Sequence, residues 1–593
     1  MTNQEIAKIL GEIGIYLEMQ DVPFKPRAYE KVAEVVANLN EEVKEIYKKG
    51  GLKALEEIPG VGVSIAEKIE EAIKTGKVKF HEQLSKKIPI RLKDFQGIQG
   101  LGPKTLKTLY AKLGIRGLRD LEKALASGRI RNLKGFGVKS EENILKSLEF
   151  LRKSGGRFVL GLVMPQIREI EARLKKLPGV KKIAVAGSVR RRKDTIGDAD
   201  ILITIDESLP ASAPPSRKAS DGQSKATAGK IMDYFVSMPE VARVFAHGET
   251  KSAVKLKNGL DMDLRVLPEE SYGSGLNYFT GSKDHNVELR RMAIDKGYKL
   301  SEYGLFKGKK QIAGRSEEDL YKALGLAYIE PELREMTGEI EASRVEKLPN
   351  LVGYGDLKGD LQIQTNWTDG ANSIEEMAEA ALDAGLEYIA ITDHTKRLAM
   401  TNGLDEKRIQ KQWLEIDKVN KKFRVSGIKF RVLRGTECDI LKDGSMDLPD
   451  EILAKCEVVG ASVHSLFNLP KKEQTERIKR AMSNPHVDII FHPTGRILNK
   501  RQPYDVDMEE LIRHAKKTGT ILEINASDRA DLKDEYIRKC VEQGVKMAIN
   551  SDSHSVSHFE WLEYGIAQAR RGWGEKKDII NAWPLEKMLK MLK

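Results

Sequence analysis

The sequence predicts a multidomain chain with a helical N-terminal part, a central α+β part and a C-terminal α/β barrel. The length of 593 residues exceeds what one hydrophobic core usually organises. Glycine-turned helical segments fill residues 1–150, and from about residue 155 strand-like segments alternate with helical ones. After about residue 356 the alternation becomes regular, which is typical of parallel sheets and barrels.

The net charge of +12 is distributed unevenly along the chain. Residues 1–350 contain 62 Lys and Arg against 49 Asp and Glu, a net charge of +13. Residues 351–593 contain 38 against 39, a net charge of −1, whereas residues 51–200 alone hold 33 against 17. This asymmetry indicates a polyanionic partner for the front half and a different role for the back half. Charge alone does not distinguish DNA from RNA.

Neither a membrane segment nor a secretory signal is predicted. We find no apolar run near the roughly 20 residues that a membrane helix needs. The three cysteines are widely separated and form no CxxC pair. Such spacing favours buried thiols in a reducing compartment, so we expect a cytoplasmic protein with no membrane partner.

Three segments in the basic region repeat an apolar-x-Gly-apolar-Gly pattern followed by a helix. They read IPGVGVSIAEKI (58–69), IQGLGPKTLKTL (98–109) and LKGFGVKSEENI (133–144). The glycines permit a tight turn, and the free N–H groups at the start of the next helix favour a phosphate. The pattern resembles the helix-hairpin-helix motif, which binds the nucleic-acid backbone without reading bases. One copy could equally be an ordinary helix pair, but three copies favour binding. The predicted DNA-binding glycines are Gly60, Gly62, Gly100, Gly102, Gly135 and Gly137.

Acidic residues recur with strand spacing in the central part. In GDADILITI, the alternation of a strand places Asp198 and Asp200 on one face. In LDMDLRVL, Asp261, Asp263 and Arg265 share a face opposite the apolar residues. Two neighbouring strands would therefore bring three or four carboxylates together.

Carboxylates held this close repel one another unless cations lie between them. A pair of Mg²⁺ ions is one answer, and in-line phosphoryl or nucleotidyl transfer uses such a pair. The alternative is a surface salt-bridge network with the four cations at residues 190–193. Such a network would not need strand spacing, so the metal interpretation is favoured.

The motifs GSVRR…GDAD, GETKSAV, DMDLRV and YFTGSKDHNVELRRMA resemble, in that order, the palm and thumb of family X DNA polymerases, the polymerase beta group. The resemblance implies a DNA-directed DNA polymerase that fills gaps in base excision repair. Gapped or primer-template DNA and deoxynucleoside triphosphates would be its partners. Asp198, Asp200 and Asp263 would hold two Mg²⁺ ions, for which Mn²⁺ can substitute, with Asp263 also near the primer 3′-hydroxyl.

The same resemblance implies a set of nucleotide contacts. These are Gly187, Ser188 and Arg191 at the triphosphate, Tyr278, Phe279 and Gly281 at the sugar, Asn286 and Arg290 at the minor-groove edge of the new pair, and Arg265 as a further substrate-binding residue. Asp261 departs from the family pattern. It could add a metal ligand or pair with a cation.

The segment IPGVGVSIAEKI also resembles the small lyase domain of this family. Lys68 falls at the position of the amine that forms a Schiff base with an abasic sugar. Lys25 and Tyr29 match accompanying positions, whereas Ser64 and Glu56 replace lysines of the mammalian enzyme. Lys68 is therefore either a catalytic amine or a helix lysine near a DNA phosphate.

Residues 356–593 resemble the PHP phosphoesterase domain that accompanies bacterial and archaeal family X polymerases. Polar residues follow successive strands, where α/β barrels build their sites, in the motifs TDH, GTECD, SVHS, FHPTGR and NSDSH. The resemblance implies a Mn²⁺ or Zn²⁺ centre that drives 3′–5′ exonuclease or abasic-site cleavage. The matching ligands are Asp369, His394, Glu437, His464, His492, Asp552 and His554.

The first PHP motif is altered in this sequence. Gln362 and Gln364 stand where the family has His-x-His. A neutral amide oxygen is a poor substitute for imidazole on a borderline metal, so one metal position should be weak or empty. The domain would then be either a weakened nuclease or a relic that braces the polymerase.

We expect six segments: a lyase-like domain, a helix-hairpin-helix fingers domain, a palm with a mobile Pro/Ser/Ala-rich insert, a thumb, a linker and the PHP domain. Their bounds are 1–85, 86–153, 154–275 with the insert at 207–225, 276–340, 341–355 and 356–593. A monomer is expected. Two alternatives to a polymerase remain: a nuclease or abasic-site enzyme driven by the PHP domain, and a non-catalytic DNA-bridging protein.

Overall fold

The computed structural model describes residues 1–37, 39, 41–95, 98, 101–138, 140–142, 144–145, 148, 156–205 and 217–593. Within these ranges no helix is long and apolar enough to cross a membrane. The front part is helical, and its buried apolar residues from Ile6 to Leu148 form one core. Its helices are Asn3–Met19, Lys25–Ala37, Val43–Glu56, Val63–Thr75, Lys79–Lys87, Pro103–Leu113 and Leu118–Ala126, with a short 3₁₀ turn at Leu92–Asp94.

The predicted glycine turns form as expected where the structure describes them. Gly60 and Gly135 have φ of +82° and +90°, a left-handed conformation that glycine adopts without strain. Gly62 and Gly102 are extended residues that cap the helices Val63–Thr75 and Pro103–Leu113. In the third repeat, the backbone N–H of Glu141 donates to the carbonyl oxygen of Gly137, where the helix after the glycines begins. Gly100 lies outside the described residues.

The central part contains a five-stranded sheet built from β2 (Val180–Val185), β4 (Asp198–Ile205), β5 (Val241–His247), β6 (Lys251–Leu256) and β7 (Asp261–Val266). The strand order is β2-β4-β7-β6-β5, and β1 (Phe158–Val159) pairs with β3 (Thr195–Ile196) beside the sheet. β4 and β7 are parallel, and the other neighbours are antiparallel. Helices Leu160–Lys175 and Arg217–Val236 share one apolar core with Ile201, Ile203 and Met262. That core fixes which residues of β4 and β7 face away from it.

The predicted mobile insert is partly wrong. Helix Arg217–Val236 covers the second half of residues 207–225. After Pro215 the sequence holds Ala, Lys and Gln and no further proline before Val236, so helix propensity is restored. Residues 206–216 lie outside the described part of the chain.

The thumb region has helices Tyr272–Thr280, Lys283–Asp295, Glu317–Leu324 and Glu339–Arg344, with 3₁₀ turns at Glu269–Ser271 and Pro331–Leu333. The first helix runs across the predicted boundary between residues 275 and 276. A small antiparallel sheet, β8 (Lys299–Ser301), β9 (Gly304–Lys307) and β10 (Lys310–Ala313), was not predicted. Its strands are too short to give a clear period-two pattern.

The C-terminal part is a nearly closed barrel of seven parallel strands in sequence order. They are β11 (Gly359–Ile363), β12 (Tyr388–Ile391), β13 (Arg431–Asp439), β14 (Val458–Ser462), β15 (Ile489–Ile490), β16 (Ile521–Asn525) and β17 (Met547–Asn550). The backbone N–H of Gln364 bonds to the carbonyl of Ser553 at 2.8 Å, which brings the last strand back beside the first. The longer surrounding helices are Ile374–Asp383, Glu406–Val425, Lys471–Met482, Met508–Thr518, Asp534–Gln543 and Leu562–Arg571; Asp450–Leu453 and Leu585–Leu589 are short. The expected alternation of strands and helices is confirmed.

The barrel packs directly on the palm, an arrangement the sequence did not predict. Arg496 of the barrel pairs with Asp194 of the palm at 3.1 Å. Asn499 donates to the carbonyl oxygen of Arg157 at 2.9 Å. Asp194 immediately precedes β3 and lies four residues before Asp198, so the barrel contacts the segment that leads into β4, which carries Asp198 and Asp200.

Candidate active sites

The three predicted palm carboxylates lie together on adjacent strands. The parallel register pairs Asp200 with Asp263, and Asp198 with Asp261. Burial, followed by the charges of Asp198 and Asp263, raises the pKa of Asp200 to about 6. Lys251 Nζ lies 3.3 Å from Asp263 Oδ2, and Arg265 lies 3.7 Å from the same oxygen. Negative charge is therefore concentrated here beyond what the neighbouring side chains offset.

This donor set fits hard divalent cations. Mg²⁺ is bound by one or two protein carboxylates together with substrate phosphates and water. Asp198, Asp200 and Asp263 offer carboxylate oxygens on one face of the sheet. A raised carboxyl pKa beside like charges is the electrostatic condition that a bound cation relieves.

Gly187 brings the next segment close to these carboxylates. Its φ is +64°, and a Cβ added there would lie 3.2 Å from Asp200 Oδ2. A four-residue helix, Gly187–Arg190, follows and carries Ser188. The turn and the metal-binding face are therefore in contact.

The cations of the sequence VRRRK (189–193) form ion pairs with carboxylates other than those of the palm strands. Arg190 binds Glu317 through two hydrogen bonds of 2.9 and 2.6 Å. Arg191 Nε donates to Glu335 Oε1 at 2.8 Å. Lys193 Nζ lies 3.5 Å from Glu335 Oε2. Among the described residues no ion pair joins residues 190–193 to the palm carboxylates, which disfavours the surface-network alternative.

The YFTGS segment lies beside the same face. The guanidinium of Arg265 stacks over Phe279, 4.5 Å from the ring centroid, and Phe279 meets Tyr278 edge-on at 5.1 Å. Gly281 has φ of +72°, and an added Cβ would lie 3.1 Å from a guanidinium nitrogen of Arg191. Arg191, Arg265 and the aromatic pair therefore lie close together next to the sheet.

Two further predicted contacts lie on helix Lys283–Asp295. Asn286 Nδ2 donates to the carbonyl oxygen of Tyr278 at 2.7 Å, and Arg290 Nε donates to that of Asn286 at 3.3 Å. These bonds hold both residues close to Tyr278. The side chain of Asp261, whose role was left open, pairs with Lys255 Nζ at 2.5 Å across β6 and β7.

Lys68 lies in a half-buried setting in the first domain. Its Nζ donates to the carbonyl oxygen of Ser64 at 2.8 Å and to Ser64 Oγ at 3.0 Å, and it lies over the Phe80 ring at 5.2 Å. Burial lowers the pKa of Lys68, and the charge of Lys25 lowers it further. A larger fraction of free amine is what a Schiff-base nucleophile needs.

In the barrel, the predicted ligands converge at the carboxyl ends of the strands. Donor atoms of Asp369, His394 and His554 lie within 4.8 Å of one another, as do those of His394, Glu437 and His464. His492 Nε2 is 2.9 Å from Glu437 Oε1. Burial would raise the pKa of Glu437, but the surrounding histidines outweigh it and hold that pKa well below its usual range.

The seventh ligand, Asp552, lies beside this cluster. His554 Nδ1 donates to the carbonyl oxygen of Asp552 at 2.8 Å, which leaves Nε2 available to a metal. The imidazole and carboxylate donors fit Mn²⁺ or Zn²⁺. The structure therefore brings together all seven predicted residues.

The two glutamines are completely buried within the same site. Gln364 Nε2 donates to Glu437 Oε2 at 2.6 Å and so occupies a carboxylate oxygen that a metal could use. Gln362 Oε1 accepts from Asn525 at 3.2 Å. Gln362 Nε2 and Gln364 Oε1 are buried without a hydrogen-bond partner. An amide offers a neutral oxygen in place of an imidazole nitrogen, and Gln364 already occupies Glu437 Oε2, so we expect this part of the centre to bind metal poorly.

Two residues near the carboxyl end of β16, Asn525 at its last position and Arg529 in the loop after it, were not predicted from the sequence. Arg529 Nε pairs with Asp552 Oδ2 at 3.2 Å, and Asn525 Nδ2 donates to the same oxygen at 3.2 Å. No metal-ligand spacing marks these residues. The only sequence signal was their place after a barrel strand, in INASDR.

Family models match the chain in four places. They are a helix-hairpin-helix domain at residues 1–78, a SAM-like helix-hairpin-helix tandem at 92–149, a DNA polymerase beta thumb at 275–335 and a PHP domain at 360–527.

Relatives match the same regions. The DNA polymerase/3′-5′ exonuclease PolX of Bacillus subtilis (strain 168) is 37% identical over 601 residues, which cover 100% of both chains. DNA polymerase lambda of Rattus norvegicus is 30% identical over 297 residues, covering 47% of this chain and 48% of the relative. A probable phosphatase of Acetivibrio thermocellus is 31% identical over 192 residues, covering 31% of this chain and 73% of the relative.

Fold and site define the class first: a nucleotidyltransferase of the polymerase beta type joined to a PHP barrel. Full-length similarity then fixes the family. The chain belongs to the family X DNA polymerases that carry a PHP domain, and it is a DNA-directed DNA polymerase. The predicted family, fold class and polymerase activity are confirmed.

Proposed function

We propose that this polymerase fills short gaps during DNA repair by two-metal nucleotidyl transfer. The observation that carries the proposal is the trio of carboxylates on β4 and β7, where the pKa of Asp200 is raised to about 6. Asp198, Asp200 and Asp263 would hold two Mg²⁺ ions. Bound there, the ions supply charge neutralisation at the phosphates and activation of the primer 3′-hydroxyl.

The chain's own residues bind and orient the nucleotide. Ser188 and Arg191 would bind the triphosphate beside Gly187, and Tyr278, Phe279 and Gly281 would pack against the sugar. Asn286 and Arg290, fixed to the carbonyls of Tyr278 and Asn286, would meet the minor-groove edge of the new pair. The stacking of Arg265 on Phe279 keeps a cation beside the carboxylates.

The helical domains at the N-terminus would bind the DNA backbone. Gly60, Gly62, Gly102, Gly135 and Gly137 form open turns at helix starts, where backbone N–H groups can face phosphates. Gapped or primer-template DNA would be bound in this way.

For Lys68 we propose lyase chemistry on an abasic sugar, supported by its lowered pKa. We also propose the six domain bounds given above, a monomeric state and a cytoplasmic site of action.

For the barrel we propose a weak 3′–5′ exonuclease or abasic-site nuclease with Mn²⁺ or Zn²⁺. The converging donors of His394, Glu437 and His464 support a retained metal centre. The buried amides of Gln362 and Gln364, which offer neutral oxygen in place of imidazole nitrogen, support the loss of one metal position. Asp369, His492, Asp552 and His554 complete the proposed ligand set. When bound, the metals would supply an activated water.

One experiment separates the two activities. A duplex with a short gap and a labelled primer is incubated with Mg²⁺ or Mn²⁺, with and without nucleotides. Asp198→Ala should abolish extension and retain 3′-end degradation, whereas His492→Ala should do the reverse. Loss of degradation in Asp198→Ala alone would refute a nuclease role for the barrel. Equal extension on gapped and ungapped templates would count against gap filling.

A further inference from the structure

Two adjacent palm arginines, Arg190 and Arg191, bind two glutamates of the thumb, Glu317 and Glu335. Arg190 donates two hydrogen bonds to Glu317, and Arg334 NH1 donates to Glu317 Oε1 at 2.6 Å. One residue further along each segment, Arg191 Nε donates to Glu335 Oε1 at 2.8 Å. Arg334 and Glu317 are nearly enclosed, whereas Arg190, Arg191 and Glu335 retain 20%, 14% and 22% side-chain exposure. The two terminal nitrogens of Arg190 are both occupied, by Glu317, Thr280 and Tyr328, so Arg191 is the arginine better placed to bind a ligand.

The bonds of Arg191 leave part of its guanidinium unused. Nε is bound to Glu335, and NH1 donates to the carbonyl oxygen of Thr280. A guanidinium has five donors, so neither bond consumes those on NH2. The backbone N–H of Ser282 bonds to the carbonyl of Arg334 at 3.1 Å, which ties the YFTGS segment to the residue before Glu335.

We propose that Glu335 is a positioning residue for nucleotide addition, fixing the guanidinium of Arg191 so that NH2 meets the incoming triphosphate. The inference rests on the proposed role of Arg191. A free arginine side chain loses about 2 kcal/mol of rotamer freedom when it is immobilised. An arginine already fixed by Glu335 avoids that loss when the nucleotide arrives.

The local charges agree with a positioning role. Glu335 Oε2 lies 3.5 Å from Lys193 Nζ, so its single negative charge is shared between two cations. Asp534 lies 3.8 Å from Lys193 Nζ and is itself paired with Arg571, so this group of three cations and two carboxylates keeps a net positive charge. It therefore attracts a triphosphate even with Glu335 in place.

The test is single-nucleotide incorporation into a gapped duplex over a series of nucleotide concentrations. Glu335→Ala should raise the nucleotide KM about tenfold, with a much smaller change in kcat. The KM of Glu335→Gln should lie between those of wild type and Glu335→Ala, because the amide oxygen still accepts a hydrogen bond from Arg191 Nε. In an Arg191→Ala background, Glu335→Ala should add no further change. Glu318→Gln, an exposed neighbour in the thumb, is the matched control and should match wild type.

Each contrary result has a distinct meaning. A lower KM in Glu335→Ala would show that Glu335 competes with the nucleotide, and would overturn the inference. An unchanged KM in Glu335→Ala would overturn it while leaving the role of Arg191 intact. An unchanged KM in Arg191→Ala would refute the triphosphate role and the inference together. An additive loss in the double variant would indicate a structural role for Glu335 and would also overturn it.

Discussion

Asp200 and Asp263 lie opposite each other on the parallel strands β4 and β7, and Asp263 helps to raise the pKa of Asp200 to about 6. The usual pKa of an aspartate carboxyl is 3.8. Between pH 3.8 and about pH 6 the folded protein therefore binds more protons than the unfolded chain. Stability of the metal-free protein therefore falls as pH rises through this window. Above pH 6 the cost of the ionised carboxylate is fully present.

Asp200→Asn should stabilise the metal-free protein by about 3 kcal/mol at pH 7.5. The gain should vanish at about pH 3, below the unfolded value of 3.8, where Asp200 is protonated in both the folded and the unfolded wild-type protein. Urea unfolding in EDTA at the two pH values measures the difference. Asp261→Asn, which removes a carboxylate paired with Lys255, is the control and should show no such gain. A gain that is independent of pH would contradict the explanation.

Glu317→Gln should destabilise the thumb by about 3 kcal/mol, because Arg334 is completely buried and would lose its anion. Burial would raise the pKa of Glu317, but Arg334 and Arg190 outweigh it and lower that pKa to about 2. The loss should therefore be present throughout neutral pH. Denaturant unfolding checks it against Glu318→Gln, and equal stability of the two variants would refute this account of the network.

The strand-borne parts of both sites could be predicted from the sequence. Asp198, Asp200 and Asp263 were placed by the two-residue period of a strand, and the barrel ligands by their positions after strands. The contacts of Arg190 with Glu317 and of Arg191 with Glu335 join residues 127 and 144 positions apart along the chain, which no local pattern signals. The helix over residues 217–225 was missed because Pro, Ser and Gly in the same segment favoured a loop.

The Gln362→His and Gln364→His double variant should bind more Mn²⁺ per chain than wild type and degrade a 3′ end faster. Imidazole would replace an amide that now donates to Glu437. Elemental analysis after dialysis against Mn²⁺ gives the metal count, which does not depend on activity. Gln474→His, at a buried glutamine on helix Lys471–Met482, is the control. An unchanged metal count would show that the glutamines do not explain a weak centre.

Lys68→Ala should abolish borohydride trapping of the chain on DNA containing an abasic site. Burial and Lys25 lower the pKa of Lys68, which raises the fraction of nucleophilic amine. Lys48→Ala, which removes an exposed lysine paired with Glu45, should trap as wild type does. Trapping that survives in Lys68→Ala would leave Lys68 as a DNA contact without lyase chemistry.

The most direct test of the central claim compares Asp263→Ala with Asp261→Ala in single-turnover nucleotide incorporation on gapped DNA. Asp263 lies opposite Asp200 at the proposed metal site, whereas Asp261, two residues before Asp263, pairs with Lys255. We predict that Asp263→Ala lowers the rate by at least about 10³-fold and that Asp261→Ala stays close to wild type. Equal rates in the two variants would contradict the assignment of Asp198, Asp200 and Asp263 as the metal-binding carboxylates.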